Sequence, residues 1–228
     1  TNLNVTNGIA VSTGAAGTMD VASTFTQTNT GVISGAGSLV KAGAGTLQLT
    51  ASNTYTGGLT VDAGTVILSG SGTLAATNAT VKIGAGTVNL GGLTRTNNTF
   101  TLDSGVLTNG TLNATNYLLT NAGTIAANLT GTGSLTKSGS GTATLSGANT
   151  FTGGLTLNAG TLAISANSAL GNGSVTIASN ATISGLTNLN VTNGIAVSTG
   201  AAGTMDVAST FTQTNTGVIS GAGSLVKA

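Results

Sequence analysis

Short stretches in which apolar and polar side chains alternate recur along the chain, as in Thr46-Leu47-Gln48-Leu49 and Thr87-Val88-Asn89-Leu90. Alternation with period two is the signature of a strand buried on one face. Such stretches open with Gly-Thr at Gly45, Gly64 and Gly86, and comparable ones open at Gly105, Gly123, Gly141 and Gly160. Glycine, asparagine and serine cluster between them and tolerate the positive φ that corners need. One coil of this length cannot bury its own apolar face, so coils must stack to make a core. The pattern predicts an all-β fold, a parallel β-helix (β-solenoid) of about 18–22 residues per rung.

Two longer periods overlie this one. Residues Thr1 to Ala42 return letter for letter as Thr187 to Ala228. Inside that unit, Gly35-Ala-Gly-Ser-Leu-Val-Lys41-Ala-Gly-Ala-Gly45-Thr aligns with Gly131-Thr-Gly-Ser-Leu-Thr-Lys137-Ser-Gly-Ser-Gly141-Thr. The match runs on through Asn53-Thr-Tyr55-Thr-Gly57-Gly58 against Asn149-Thr-Phe151-Thr-Gly153-Gly154, then Ala63-Gly64-Thr65 against Ala159-Gly160-Thr161. The expected organisation is a single continuous solenoid segment over 1–228. Residues 1–186 form one full tandem unit and 187–228 the start of the next. Ten rungs per unit, about 4.8 Å apart, give a unit roughly 48 Å long. Neither end carries a capping pattern, so the parent polypeptide is expected to continue after Ala228 with a sequence close to residues 43–186.

The shared spacing of these blocks, Gly-x-Gly-x-Leu-x-Lys-x-Gly-x-Gly-Thr, Asn-Thr-Tyr/Phe-Thr-Gly-Gly and Ala-Gly-Thr-Leu/Val, resembles the autotransporter-associated β-strand repeat, or passenger-associated transport repeat. The close match covers residues 35–66 and 131–162, with the start of a third copy at 221–228. The resemblance implies a right-handed β-helix displayed outside a bacterium, with any translocator barrel lying outside this segment.

Composition narrows the function. Charged residues are 4% of the chain, against about 25% in ordinary soluble domains. Hydrophobic residues are 39%, which supplies a core and argues against disorder. There is no strict glycine period of three, so a collagen helix is excluded. Without cysteine there is no disulfide or thiolate metal site. A net charge of +1 offers no electrostatic footprint for nucleic acid. No apolar run reaches the length of a transmembrane helix, so no membrane insertion by this segment is expected. Aromatics at 3% do not supply the two girdles of a membrane barrel.

Catalysis has little to work with. The chain lacks histidine, and its carboxylates are Asp20, Asp62, Asp103 and Asp206, the last a copy of the first. General acid–base chemistry needs a histidine or a tuned carboxylate pair, and these stand about two rungs apart. No enzyme activity, cofactor or metal is expected; calcium generally takes more than one carboxylate. Asp20, Lys41, Asp62, Lys82 and Asp103 follow one another at nearly equal intervals, each close to one rung, with alternating sign. That spacing suggests a column of stacked opposite charges along one corner. Asn53 and Asn149 read as ladder or turn-capping residues, and the pairs Gly57-Gly58 and Gly153-Gly154 as turns. Threonine runs at 24–30 and 94–96 do not fall on successive rungs and read as exposed strand positions. Phe25, Tyr55, Phe100, Tyr117 and Phe151 are assigned to corners or core rather than to sugar stacking.

The expected role is a structural, non-catalytic repeat segment of a long extracellular bacterial surface filament, stalk or matrix protein. The alternative is an autotransporter-type adhesin whose solenoid binds glycan or neighbouring cells. Expected partners are further copies of the repeat, coaxial in the chain and lateral between chains, and cell-surface glycan or neighbouring cells.

Overall fold

The computed structural model describes residues 2–228; Thr1, where the first copy of the long repeat begins, lies outside them. The described residues hold strands and no helix. The chain divides into two compact units, Thr1–Asn113 and Ala114–Ala228.

In the first unit one sheet runs through Leu3–Val5, Thr26–Asn29, Thr46–Leu49, Thr65–Leu68, Thr87–Asn89 and Val106–Thr108. A second runs through Ala16–Asp20, Ser38–Ala42, Leu59–Val61, Thr80–Ile83 and Thr94–Leu102. A short third face pairs Ile9–Ala10 with Ile33–Ser34. The pairings are parallel, each strand meeting the one a full turn later. This is a β-solenoid, with about 20 residues per turn.

Alternation produces the core directly. In Thr46–Leu49 the two leucines are buried and the two polar residues half-buried. Stacking in register turns each inward position into a column, such as Leu47–Val66–Val88–Leu107 or Leu39–Leu59–Val81–Phe100. Each of these side chains is fully buried, and each contributes about 1.5–3 kcal/mol by leaving water.

The second unit repeats the plan. One sheet takes Gly123–Ile125, Thr142–Leu145, Gly160–Ile164, Ala181–Gly185, Ala202–Val207 and Ser224–Lys227. The other takes residues 116–119, Ser134–Lys137, Leu155–Leu157, Val175–Ile177, Ile195–Val197 and Ile219–Gly221. Leu189–Val191 pairs with Gln213–Asn215 as a separate short face.

The identical stretches adopt identical local registers. Leu3 lies opposite Gln27 and Leu189 opposite Gln213. Ile9 meets Ile33 as Ile195 meets Ile219, and Met19 meets Lys41 as Met205 meets Lys227. The turn from Leu3 to Gln27 is wider than any that the glycine spacing implies. Those glycine landmarks begin only at Gly45, so the longer rungs, with their extra short strand, left no mark in the spacing. At about 20 residues per turn, the span from Thr1 to its copy Thr187 corresponds to about nine turns rather than ten.

Candidate functional site

The chemistry shared by the two diverged halves of the repeat lies inside the solenoid. Lys41 follows Leu39 by two positions in Ser38–Ala42, so both side chains point inward. It occupies the aliphatic column Met19–Lys41–Val61–Ile83–Leu102 and is fully buried. Lys137 does the same in Leu119–Lys137–Leu157–Ile177–Val197.

A buried ammonium must be hydrogen-bonded or neutralised. Lys41 Nζ donates to the carbonyls of Ala42 at 2.5 Å, Gly43 at 2.7 Å and Ala63 at 3.3 Å. Lys137 Nζ donates to the carbonyl of Gly139, the counterpart of Gly43. Burial lowers the pKa of Lys41, opposed by the Asp20 carboxylate, and burial likewise lowers that of Lys137. The glycines of the motif make room for this cage. A Cβ on Gly64 would lie 2.8 Å from Lys41 Nζ and 2.3 Å from the Gly45 carbonyl oxygen. One on Gly160 would lie 2.4 Å from the Gly139 carbonyl oxygen.

Asn53 and Asn149 each bind three successive turns. Asn53 Oδ1 accepts from the Ile33 amide at 2.9 Å and Nδ2 donates to the Thr73 carbonyl at 2.9 Å. Asn149 Oδ1 accepts from Leu129 N–H at 2.8 Å and Nδ2 donates to the Ala169 carbonyl at 2.7 Å. At a corner where the backbone ladder is interrupted, the side-chain amide supplies the missing rung. The Gly-Gly pairs combine two requirements. Gly57 and Gly153 press on the backbone of Gly37 and Gly133, where a Cβ would approach within 2.4 and 2.5 Å, and Gly58 and Gly154 have φ of 91° and 83°.

The five charges do not form the expected column. Lys41 points inward between Met19 and Val61, whereas Lys82 points outward between Thr60 and Thr101. Asp20 lies opposite Ala42, and Asp62 beside Gly84. The positions that stack in this sheet are Met19, Lys41, Val61, Ile83 and Leu102, and the turns between them are unequal in length. Charges set at nearly equal intervals cannot stay aligned on such turns. Of the proposed pairs, Asp20 and Lys41 are electrostatically coupled.

Aromatic residues are largely enclosed. Tyr55, Phe100, Tyr117 and Phe151 are fully buried. The Tyr55 hydroxyl donates to the Leu74 carbonyl, and burial pushes its pKa far up. Tyr117 accepts from Ala114 N–H at 2.8 Å, donates to the Thr130 carbonyl at 2.6 Å, and packs on Phe151 with ring centroids 5.9 Å apart. Phe25 and its copy Phe211 stay about 40% exposed. Threonines also stack beyond the runs: Thr26, itself within the first run, with Thr46, Thr65 and Thr87 in one unit, and Thr142, Thr161, Thr182 and Thr204 in the other. The signal was the Gly-Thr pair that opens most of these strands.

Residues 39–68 and 135–164 match the passenger-associated-transport-repeat family model. These segments contain the lysine cages, the bracketing asparagines and the double glycines described above. No curated protein and no solved structure matches the chain. The fold is a β-solenoid, and two of its segments are similar to this transport repeat. Two segments similar to the passenger-associated repeat on a β-solenoid fit an autotransporter passenger domain.

Proposed function

We propose that the chain is a structural, non-catalytic repeat segment of an extracellular bacterial surface filament, stalk or matrix protein. The observation that carries this reading is where the motif's polar side chains go. Lys41, Asn53 and Asn149 bond from turn to turn inside the solenoid, Lys137 bonds the Gly139 carbonyl of its own turn, and none is presented to a substrate. Neither the cavity beside Met205 and Phe211 nor the one beside Ala178 and Asn180 is lined by a carboxylate, and no group of three potential metal ligands occurs among the described residues. A solenoid gains length in proportion to chain length, because each turn contacts only its neighbours. Low charge permits close lateral packing of such rods.

The adhesin reading has less to stand on, because four of the six aromatic rings that could stack on sugars are enclosed. Labelling of intact bacteria that carry the parent protein, with antibody raised against this segment, tests the proposal. Staining of unpermeabilised cells, together with no retention of the purified segment on a glycan array, is expected. Staining only after permeabilisation would refute surface display. Glycan retention abolished by Phe25→Ala with Phe211→Ala would give the role to an adhesin instead.

A further inference from the structure

The stretch 1–42 and its copy 187–228 meet the transport-repeat segment of their own unit in different ways. In the first unit Leu3–Val5 joins the sheet of the Gly-Thr strand Thr46–Leu49. Ile9–Ala10 lies on the separate third face, and Ala16–Asp20 joins the sheet of the lysine strand Ser38–Ala42. In the second unit each copied strand lies one face further on. Leu189–Val191 takes the separate face. Ile195–Val197 joins the sheet of the lysine strand Ser134–Lys137. Ala202–Val207 joins that of the Gly-Thr strand Thr142–Leu145.

Within the second unit this separates two lysines that hold the same place in the motif. Lys137 stands in the interior column Lys137–Leu157–Ile177–Val197. Lys227 enters the column Ala143–Leu162–Ile183–Met205 instead. The stretch itself is unchanged: Met205 pairs with Lys227 as Met19 pairs with Lys41. Asn188 Oδ1 likewise accepts from Thr212 N–H as Asn2 Oδ1 does from Thr26 N–H. The change of face therefore arises where the copy meets residues 165–186.

That junction is held by a side-chain amide on each face. Asn167 Oδ1 accepts from Asn190 N–H at 2.9 Å on the separate face. Asn180 Oδ1 accepts from Ala202 N–H at 2.8 Å at the head of the Gly-Thr sheet. Asn193 is buried just before Ile195, and its Nδ2 donates to the carbonyls of Gly171 at 2.9 Å and Gly173 at 2.7 Å. The interior accepts the shift because both columns are apolar there and strand parity is kept; only a one-residue slip would turn the inward side chains out. An aliphatic column does not choose between strands of equal parity, whereas the asparagine bonds do.

We infer that this junction turns the repeat phase, carrying the copy of the motif that starts at 221 onto the face next to the one used by the copy at 131–162. This rests on reading the chain as a tandem structural segment. The outward position that Thr136 fills on the lysine sheet is filled by Val226 on the Gly-Thr sheet. Successive motif copies thus present their outer strands in different directions, and lateral contacts made through them are spread around a filament rather than set along one edge.

Paired cysteines in the full chain test the phase. Thr182→Cys with Thr204→Cys, which lie opposite one another, should close under mild oxidation. Thr176→Cys with Thr204→Cys should stay reduced; those two meet only if the copied stretch keeps the phase of the first unit. Asn193→Ala should speed amide exchange across Ile195–Val197 by roughly tenfold or more and leave Leu155–Leu157 unchanged. Closure of the Thr176 pair, failure of both pairs to close, or unchanged exchange at 195–197 would overturn the inference. Thr156→Cys with Thr176→Cys lies wholly within the lysine sheet and reports stacking alone. Cell-surface labelling is independent of all these, so surface display can stand when the turn of phase fails.

Discussion

Replacing Lys137 by alanine is expected to destabilise its unit by about 3–5 kcal/mol, from the cavity left by the side chain and the loss of its bond to the Gly139 carbonyl. Lys41→Ala should cost a similar amount in the other unit, where three carbonyls lose their donor. Lys137→Met fills most of the volume but leaves the carbonyl of Gly139 without its ammonium. It should therefore fall between wild type and alanine. Lys82→Ala, which removes an exposed ammonium from the outer face, should stay within about 0.5 kcal/mol. Urea denaturation followed by circular dichroism reads all four variants. Equal losses for Lys82→Ala and Lys137→Ala would show that the interior cage contributes nothing particular.

The asparagine brackets give the second large effect. Asn149→Leu keeps roughly the volume and removes both partners, stranding the Leu129 amide and the Ala169 carbonyl. Each unpaired buried group costs about 1–3 kcal/mol, so a loss of about 2–4 kcal/mol is expected. Asn149→Asp is the sharper variant. It can still accept from Leu129 N–H but sets a carboxylate oxygen against the Ala169 carbonyl in a buried site, and it should be at least as destabilising near neutral pH. Acidification should recover part of that loss, since a protonated carboxyl can donate to the carbonyl. The variant's unfolding midpoint between pH 7 and pH 4 checks this; no recovery would mean that Nδ2 of Asn149 is not the group that matters.

Much of the fold was legible because period-two alternation and corner glycines are local signals that survive stacking. Leu47 and Leu49 read as inward from alternation alone, and they are. Asn53 and Asn149 read as ladder residues for the same reason: a polar side chain at an equivalent point of two diverged copies has a turn to satisfy. Lys41 was misplaced because its charge outweighed its parity. In Leu39-Val40-Lys41 the lysine is in phase with the inward leucine, whereas in Val81-Lys82-Ile83 the lysine is out of phase with two inward residues. Parity alone separates them. The cage itself was not legible, because its acceptors are backbone carbonyls of Gly43 and Ala63, on two different turns, and backbone groups leave no trace in composition. The stacked threonines were missed for a related reason, since their alignment depends on turn lengths that vary.

The most direct test of the central claim is paired-cysteine cross-linking, clean in a chain with no cysteine of its own. Thr156 and Thr176 lie opposite one another on adjacent parallel strands, with half-buried side chains on the outer face. Thr46 and Thr65 do so in the other unit. Adjacent strands stand about 4.8 Å apart, within disulfide reach, while a shift of two positions puts the Cα atoms about 8 Å apart, beyond it. Under mild oxidation, Thr156→Cys with Thr176→Cys should close quantitatively, as should Thr46→Cys with Thr65→Cys, while Thr156→Cys with Ser174→Cys should remain reduced. Closure of the shifted pair in preference to the registered ones would contradict the stacked solenoid.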